Sequence, residues 1–287
     1  MSDYQLGYTL PGESDSTANG PFSRYAPFYD ADEKRNPVAL WTRTLNLTHL
    51  HETFMPGDLL LEIGCGTGTE ALSLAYRGMR VVATDAASGM IEQVRAKLAN
   101  VEDADVRKRV TPIVLPAACI DELLQQYGRA SFDGAYSSFG PLNCEPDLMR
   151  VSRGLADLVR PGRKVVLSFL GRYCLWETSW YLLHGDLRSA FRRWSGHAKA
   201  TVRAGWHTDR ISVFYWSSAE LERYLNADFS LVGRMALPWI LPPQYLAGIF
   251  KGRRRLFKSL ATVELRTAHL WPANIIGDHI RLTLVRK

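Results

Sequence analysis

Two carboxylates and three glycines carry the chemistry of this sequence. In residues 59–68, Leu-Leu-Leu-Glu-Ile-Gly-Cys-Gly-Thr-Gly, a short apolar run meets an acid, Glu62. Glycines then follow at alternate positions, Gly64, Gly66 and Gly68. A turn of this composition lets a ligand reach the backbone with no Cβ in the way. Asp85 ends a second apolar run, residues 80–84, about twenty residues past the glycines. An acid there can accept both hydroxyls of a ribose. Glu62 repels a pyrophosphate but attracts a ligand bearing an ammonium and a sulfonium. Together these residues can hold an adenosine that carries a cationic sulfur group.

Such residues need a strand, a turn and a helix to position them. Residues 59–63 have the length and composition of a buried parallel strand. Residues 69–77 read as a helix, apolar at Leu72, Leu74 and Ala75, with Gly78 at its stop. This is the ligand-binding corner of a doubly wound sheet. A dinucleotide fingerprint, G-x-G-x-x-G, would put glycine at position 69, where Thr69 stands. The pattern favours S-adenosylmethionine over NAD.

On these residues the chain resembles the class I S-adenosylmethionine-dependent methyltransferases. The likeness runs from residues 62–68 through residues 85–90, Asp-Ala-Ala-Ser-Gly-Met, to residues 132–139, Phe-Asp-Gly-Ala-Tyr-Ser-Ser-Phe. It closes at residues 158–162, Leu-Val-Arg-Pro-Gly, before a strand at 164–170. The resemblance implies an α/β fold: a doubly wound, mostly parallel seven-stranded sheet with an antiparallel edge strand and an inserted α/β cap. It implies S-adenosylmethionine as cofactor and S-adenosylhomocysteine as product. The methionine end would lie on Glu62, Gly64, Cys65, Gly66, Thr67 and Gly68. The ribose would lie on Asp85 and Ala86, and the adenine beside Met90, Ala117 and Ala118. Ser137, Ser138 and Phe139 would follow the fourth strand toward the transferred methyl. One departure stands out. Where the family often sets an acid against the adenine amino group, residues 115–119 read Leu-Pro-Ala-Ala-Cys. Upstream, residues 22–30, Phe-Ser-Arg-Tyr-Ala-Pro-Phe-Tyr-Asp, resemble an aromatic lid segment of small-molecule members. That likeness brings Tyr29 to the cofactor and Tyr25 to the reaction, with Arg35 or Arg43 for the cofactor carboxylate. The alternative for both tyrosines is packing of the lid on the core.

The expected division is a disordered tail at 1–21, a lid helix region at 22–55, a core at 56–171, 217–240 and 277–287, and cap insertions at 172–216 and 241–276. Asn36 caps a helix with Pro37 in its first turn, running to about residue 54. Further strands are expected at 80–84, 110–115, 132–138, 229–237 and 280–286, and a hairpin from 200–205 and 210–216. Helices are expected at 88–99, 120–127, 146–159 and 176–183, and another over residues 246–260.

Methyl transfer from a sulfonium is an in-line displacement, so the protein mainly orients the nucleophile and excludes water. A base is needed when the nucleophile arrives protonated. Asn143 is the polar candidate for positioning substrate, and Tyr25, His184 and His207 are candidate catalytic residues. Tyr173, Trp176 and Glu177 are expected in the same cleft. For both cap histidines a surface or packing role is the commoner alternative. His49 and His51 are two apart on a helix, so they diverge, and no metal is expected.

The chain has 287 residues, 46% of them hydrophobic, and a net charge of +6. Its basic residues cluster at 188–203 and 251–258, in the insertions. The default is a solvated face; the alternatives are an apolar or anionic small-molecule substrate or peripheral contact with an anionic membrane. Nucleic acid is disfavoured, because no D/N-P-P-[YFW] motif follows the fourth strand. Cys65, Cys119, Cys144 and Cys174 are scattered, as expected of thiols in a reducing cytoplasm. The expected function is methylation of an oxygen or nitrogen of a small organic molecule, a specialised metabolite or lipid precursor. The alternatives are an NAD-dependent oxidoreductase and a non-catalytic S-adenosylmethionine-binding protein. Acceptor atom and oligomeric state stay open.

Overall fold

The computed structural model describes residues 20–204 and 206–287. The expected tail lies outside them as far as residue 19. Five strands run parallel: β1 (Leu59–Ile63), β2 (Arg80–Asp85), β3 (Val110–Val114), β4 (Gly134–Ser137) and β5 (Lys164–Leu170). A separate antiparallel hairpin follows, β6 (His197–Ala204) and β7 (His207–Phe214). The main sheet is completed by β8 (Phe229–Ala236) and β9 (His279–Arg286). Its order is β3-β2-β1-β4-β5-β9-β8, seven strands, with β9 antiparallel to both neighbours. The order reverses between β1 and β4, which opens a ligand crevice at the carboxyl ends of those two strands.

Eleven α-helices are described: α1 (Pro21–Lys34), α2 (Pro37–Thr53), α3 (Thr69–Tyr76), α4 (Ser88–Ala99), α5 (Ala104–Arg109), α6 (Leu123–Tyr127), α7 (Leu148–Leu158), α8 (Leu175–Leu183), α9 (Leu187–Ala190), α10 (Ser218–Leu225) and α11 (Arg254–Thr267). Adjacent strand residues face opposite sides of the sheet. Leu61 and Ile63 thus join one core with Leu155 of α7 and Leu221 of α10. Leu60 joins the other with Leu50 of α2, Leu74 of α3 and Ile91 of α4. Both faces are covered, as a parallel sheet requires.

Three local differences from expectation have physical causes. The aromatic lid segment is a helix, α1, despite Pro27 within it. Phe22, Tyr25, Ala26 and Tyr29 pack against Ala87 and Met90, so tertiary burial overrides local propensity. The helix expected at 120–127 is a 3₁₀ segment, Ala117–Glu122, followed by α6. In the second insertion a 3₁₀ segment, Gln244–Phe250, precedes α11, and Gly252 between them adopts a left-handed φ of +75°.

The first insertion closes over the crevice. Val202, Ile211, Val213 and Tyr215 of the hairpin region pack with Leu170, Phe22 and Tyr25, and Arg24 pairs with Asp209 at 2.6 Å. Beneath the cap lies a buried ion cluster. Glu177 pairs with Arg192 at 2.6 Å and Arg193 at 2.7 Å, and accepts from the Tyr245 hydroxyl. Arg193 also reaches Asp278 at 2.7 Å. The two arginines are internal counterions, which corrects their place in an expected basic face. Glu177 is likewise spent on them and is not free for substrate. No described helix is long and apolar enough to cross a membrane.

Candidate active site

The glycine turn after β1 depends on left-handed backbone. Gly64, Gly66 and Gly68 have φ of +69°, +51° and +75°. A Cβ on Gly64 would lie 2.2 Å from Pro141, and one on Gly68 would lie 2.9 Å from Val94. A Cβ on Gly66 would meet nothing within 4 Å. The outer two glycines therefore serve close packing, and the middle one faces open space.

Asp85 fastens this turn. Its Oδ2 accepts from the Gly66 N–H at 2.8 Å and its Oδ1 from the Ala87 N–H at 2.9 Å. Burial raises its pKa to about 6, against the pull of those two donors. Each carboxylate oxygen keeps a further lone pair, enough for two ribose hydroxyls.

Glu62 lies behind the turn at 1% exposure. Its Oε2 and the Tyr136 hydroxyl are enclosed without a completed hydrogen bond. Burial, and then the negative Glu70, hold the Glu62 carboxyl well above the usual carboxylate range. Burial likewise raises the Cys65 thiol, which stays neutral. An orphaned buried acid next to a Cβ-free opening fits a cationic ligand, and Asp85 fits its ribose. The residues present thus suit S-adenosylmethionine.

The lid is clamped to the turn. Thr67 Oγ1 donates to Asp30 Oδ1 at 2.5 Å and accepts from Lys97 Nζ at 2.9 Å; Lys97 pairs with Asp30 at 2.6 Å. The Thr67 side chain thus holds α1, and only its backbone faces the turn. Arg43 donates to Glu33, and to Glu70 Oε2 at 2.6 Å, and lies 4.8 Å over the Phe139 ring. Already neutralised twice, it is not free for a cofactor carboxylate; Arg35 is exposed beside Asp32. Tyr29 stays a phenol, its pKa pushed up to about 12 by burial.

Along the crevice, Ser137 Oγ donates to the Ile63 carbonyl at 2.8 Å, tying β4 to β1. Ser138 Oγ accepts from Asn46 at 2.9 Å. Phe139 has a φ of +62°, a strained conformation for a non-glycine residue and common at functional loops. Ala86, Ala117 and Ala118 are half-buried past the ends of β2 and β3. Met90 is buried and packs with Ala26 of α1 and Ala87.

The expected catalytic residues fare differently. Asn143 is fully buried. Its Nδ2 donates to the Leu170 and Phe214 carbonyls and its Oδ1 accepts from the Leu170 N–H. It joins β5 to the hairpin and has no donor left for substrate. His184 is exposed, bonded to the Trp180 carbonyl at 2.7 Å and stacked on that indole. His207 is exposed at the hairpin end. Tyr25 donates to Asp32 at 3.0 Å, and burial keeps its proton in place. Tyr173 meets Trp194 edge to face, and Trp176 donates to the Ile240 carbonyl. Asn143 and Tyr25 are thus engaged within the fold, and the two histidines stand exposed on the cap. The sequence reading passed over His279, whose ring lies 6.2 Å from that of Phe139. An acid–histidine pair opening the last strand was its only signal.

Residues 60–162 match the family model described as a methyltransferase domain. A ubiquinone biosynthesis O-methyltransferase of Xanthomonas campestris pv. campestris is 31% identical over 150 residues, half of this chain and 56% of that protein. A demethylmenaquinone methyltransferase of Beutenbergia cavernae is 29% identical over 113 residues, 39% of this chain and 41% of that protein. The chain thus spans about half the length of the curated relatives it matches. Among solved structures, a geranyl diphosphate C-methyltransferase from Streptomyces coelicolor A3(2), in complex with S-adenosyl-L-homocysteine, superposes with a TM-score of 0.54. That match covers 85% of this chain and 77% of the other at 11% identity, and it bears on the fold alone. The sheet order is that of the class I methyltransferase fold, and the matched segment within it is the methyltransferase-domain segment, residues 60–162.

Proposed function

We propose that the chain transfers a methyl group from S-adenosylmethionine to an oxygen or nitrogen of a small organic molecule. One observation carries this reading: the buried Glu62 carboxyl, whose Oε2 completes no hydrogen bond, beside the open approach at Gly66, with Asp85 fastened to the same turn. When bound, the cofactor supplies an electrophilic methyl on a positively charged sulfur. A cation beside Glu62 favours its ionised form over the neutral one that burial favours. Asp85 accepts the ribose hydroxyls and orients the adenosine. The lid helix and the hairpin exclude water from the reacting atoms, where orientation alone can supply roughly 7–11 kcal/mol. The relatives' quinone-related names support an acceptor that is small and partly apolar.

Calorimetry against S-adenosylhomocysteine and NADH, followed by transfer of labelled methyl to a panel of phenols and amines, tests the reading. Tight binding of S-adenosylhomocysteine and a labelled organic product are expected. Preference for NADH, or binding with no product, would overturn it. The free cysteines support a reducing, cytoplasmic setting.

We also propose an anionic lipid surface as partner. Lys251, Arg253, Arg254, Arg255, Lys258 and Arg266 are exposed, and no ion pair engages them among the described residues. Leu256, Val263 and Leu270 stand exposed at seven-residue spacing beside them, with Trp271 next in sequence. Cations around an apolar stripe suit an anionic bilayer, and they repel a second copy of the same face.

A further inference from the structure

His279 opens β9 opposite Leu170, at the carboxyl end of β5, on the edge of the sheet where ligands bind. Its backbone is fixed from both sides. The Leu237 N–H donates to its carbonyl at 2.8 Å, and the Gly171 N–H donates to the preceding Asp278 carbonyl at 2.9 Å. The close approach there needs small residues: a Cβ on Gly171 would lie 2.8 Å from the Gly277 carbonyl. The ring is therefore placed with little freedom, edge-on to Phe139 in the strained loop after β4.

The two ring nitrogens have different surroundings. Nδ1 lies 3.1 Å from Asp278 Oδ2; both atoms are enclosed, and the contact is one of charge proximity, with neither atom completing a hydrogen bond. Asp278 is itself 0% exposed, and its other oxygen takes Arg193 at 2.7 Å. Arg193 holds this carboxyl well below the usual range, so it stays ionised beside the imidazole. A fixed anion facing Nδ1 favours the tautomer protonated there and leaves a lone pair on Nε2. His279 is 4% exposed; its Nε2 makes no hydrogen bond with any described residue and is not among the fully enclosed unpartnered atoms.

We propose that His279 is the general base of the reaction, that Asp278 and Arg193 position it, and that the acceptor atom is therefore a hydroxyl oxygen, most simply a phenol. This inference rests on the methyltransferase reading above. A neutral amine attacks without losing a proton first, so a positioned base serves an O–H acceptor. In the step, the acceptor oxygen bonds to the methyl carbon and the methyl–sulfur bond breaks, its electron pair passing to sulfur. The hydroxyl proton moves to His279 Nε2 and from there to water.

Two measurements test the proposal on the full chain. Nitrogen-15 imidazole spectra of the cofactor-free protein report the His279 tautomer. The Nδ1–H form is expected, and a dominant Nε2–H form would overturn the arrangement. Transfer to a phenol is then compared for the wild type, His279→Gln and His279→Ala. His279→Gln should lower kcat by about 10²- to 10⁴-fold. Its affinity for S-adenosylhomocysteine should not change, and added imidazole should restore part of the His279→Ala rate. A wild-type kcat in His279→Gln overturns the proposal. So does a wild-type protein that methylates amines and not phenols, which leaves the methyltransferase reading intact. A wild type that binds no S-adenosylhomocysteine removes that reading and this one together.

Discussion

Asp85 shows how one side chain can serve structure and ligand at once. Its carboxylate closes the glycine turn through Gly66 and Ala87, and the same two oxygens face the expected ribose. Asp85→Ala should weaken S-adenosylhomocysteine binding by about 1–3 kcal/mol, read by calorimetry. The pH dependence has a definite sign. Below about 6 the buried carboxyl takes up a proton and loses acceptor capacity, so affinity should fall from pH 7 to pH 5. The Asp85→Ala variant should lack that fall. Folding stability moves the other way. This pKa is raised above its unfolded value, so the penalty present at neutral pH is relieved as pH drops through about 6 toward 3.8. Residue types and spacing made Glu62, the glycines and Asp85 legible before any fold was known. Asn143 was misread because its type suits either substrate or backbone, and only its three buried partners decide.

At the scale of elements, the buried strands are the most legible. Apolar runs flanked by turn residues place β1 and β5 to the residue, because a strand covered on both faces admits little else. The lid helix α1 is the opposite case. Pro27 argues against it locally, and its formation rests on Met90, on the Ser23–Gly89 contact and on the Asp30–Thr67–Lys97 clamp, all distant in sequence. Asp30→Ala should therefore loosen α1 selectively. Hydrogen exchange of residues 21–34 should quicken while β1 and β5 stay protected. The global loss should be about 1 kcal/mol or less, since the Asp30–Lys97 pair is part-exposed.

For the whole molecule, the buried ion cluster couples the cap to the sheet. Arg193→Met would leave Glu177 and Asp278 short of their shared cation. A loss of about 3–5 kcal/mol is expected in denaturant unfolding, because a carboxylate stripped of its partner is buried uncompensated. The α11 face belongs to the same scale. The protein should co-sediment with vesicles containing phosphatidylglycerol and not with neutral vesicles. Reversing Arg254, Arg255 and Lys258 to Glu should abolish that binding, and unchanged binding would remove the lipid surface from its partners. The chain's own order of residues determined the strand–turn–helix corner, the two acids and the class of ligand they suit. These depend on neighbours a few positions apart, where periodicity and turn chemistry act. The tertiary structure alone decided which charges are spent on one another, which histidine meets the loop after β4 and how the lid is held. Arg193 meets Glu177 and Asp278, and His279 meets Phe139, across separations that no local pattern records. Burial, which sets what a charged group can do, exists only after folding brings those segments together.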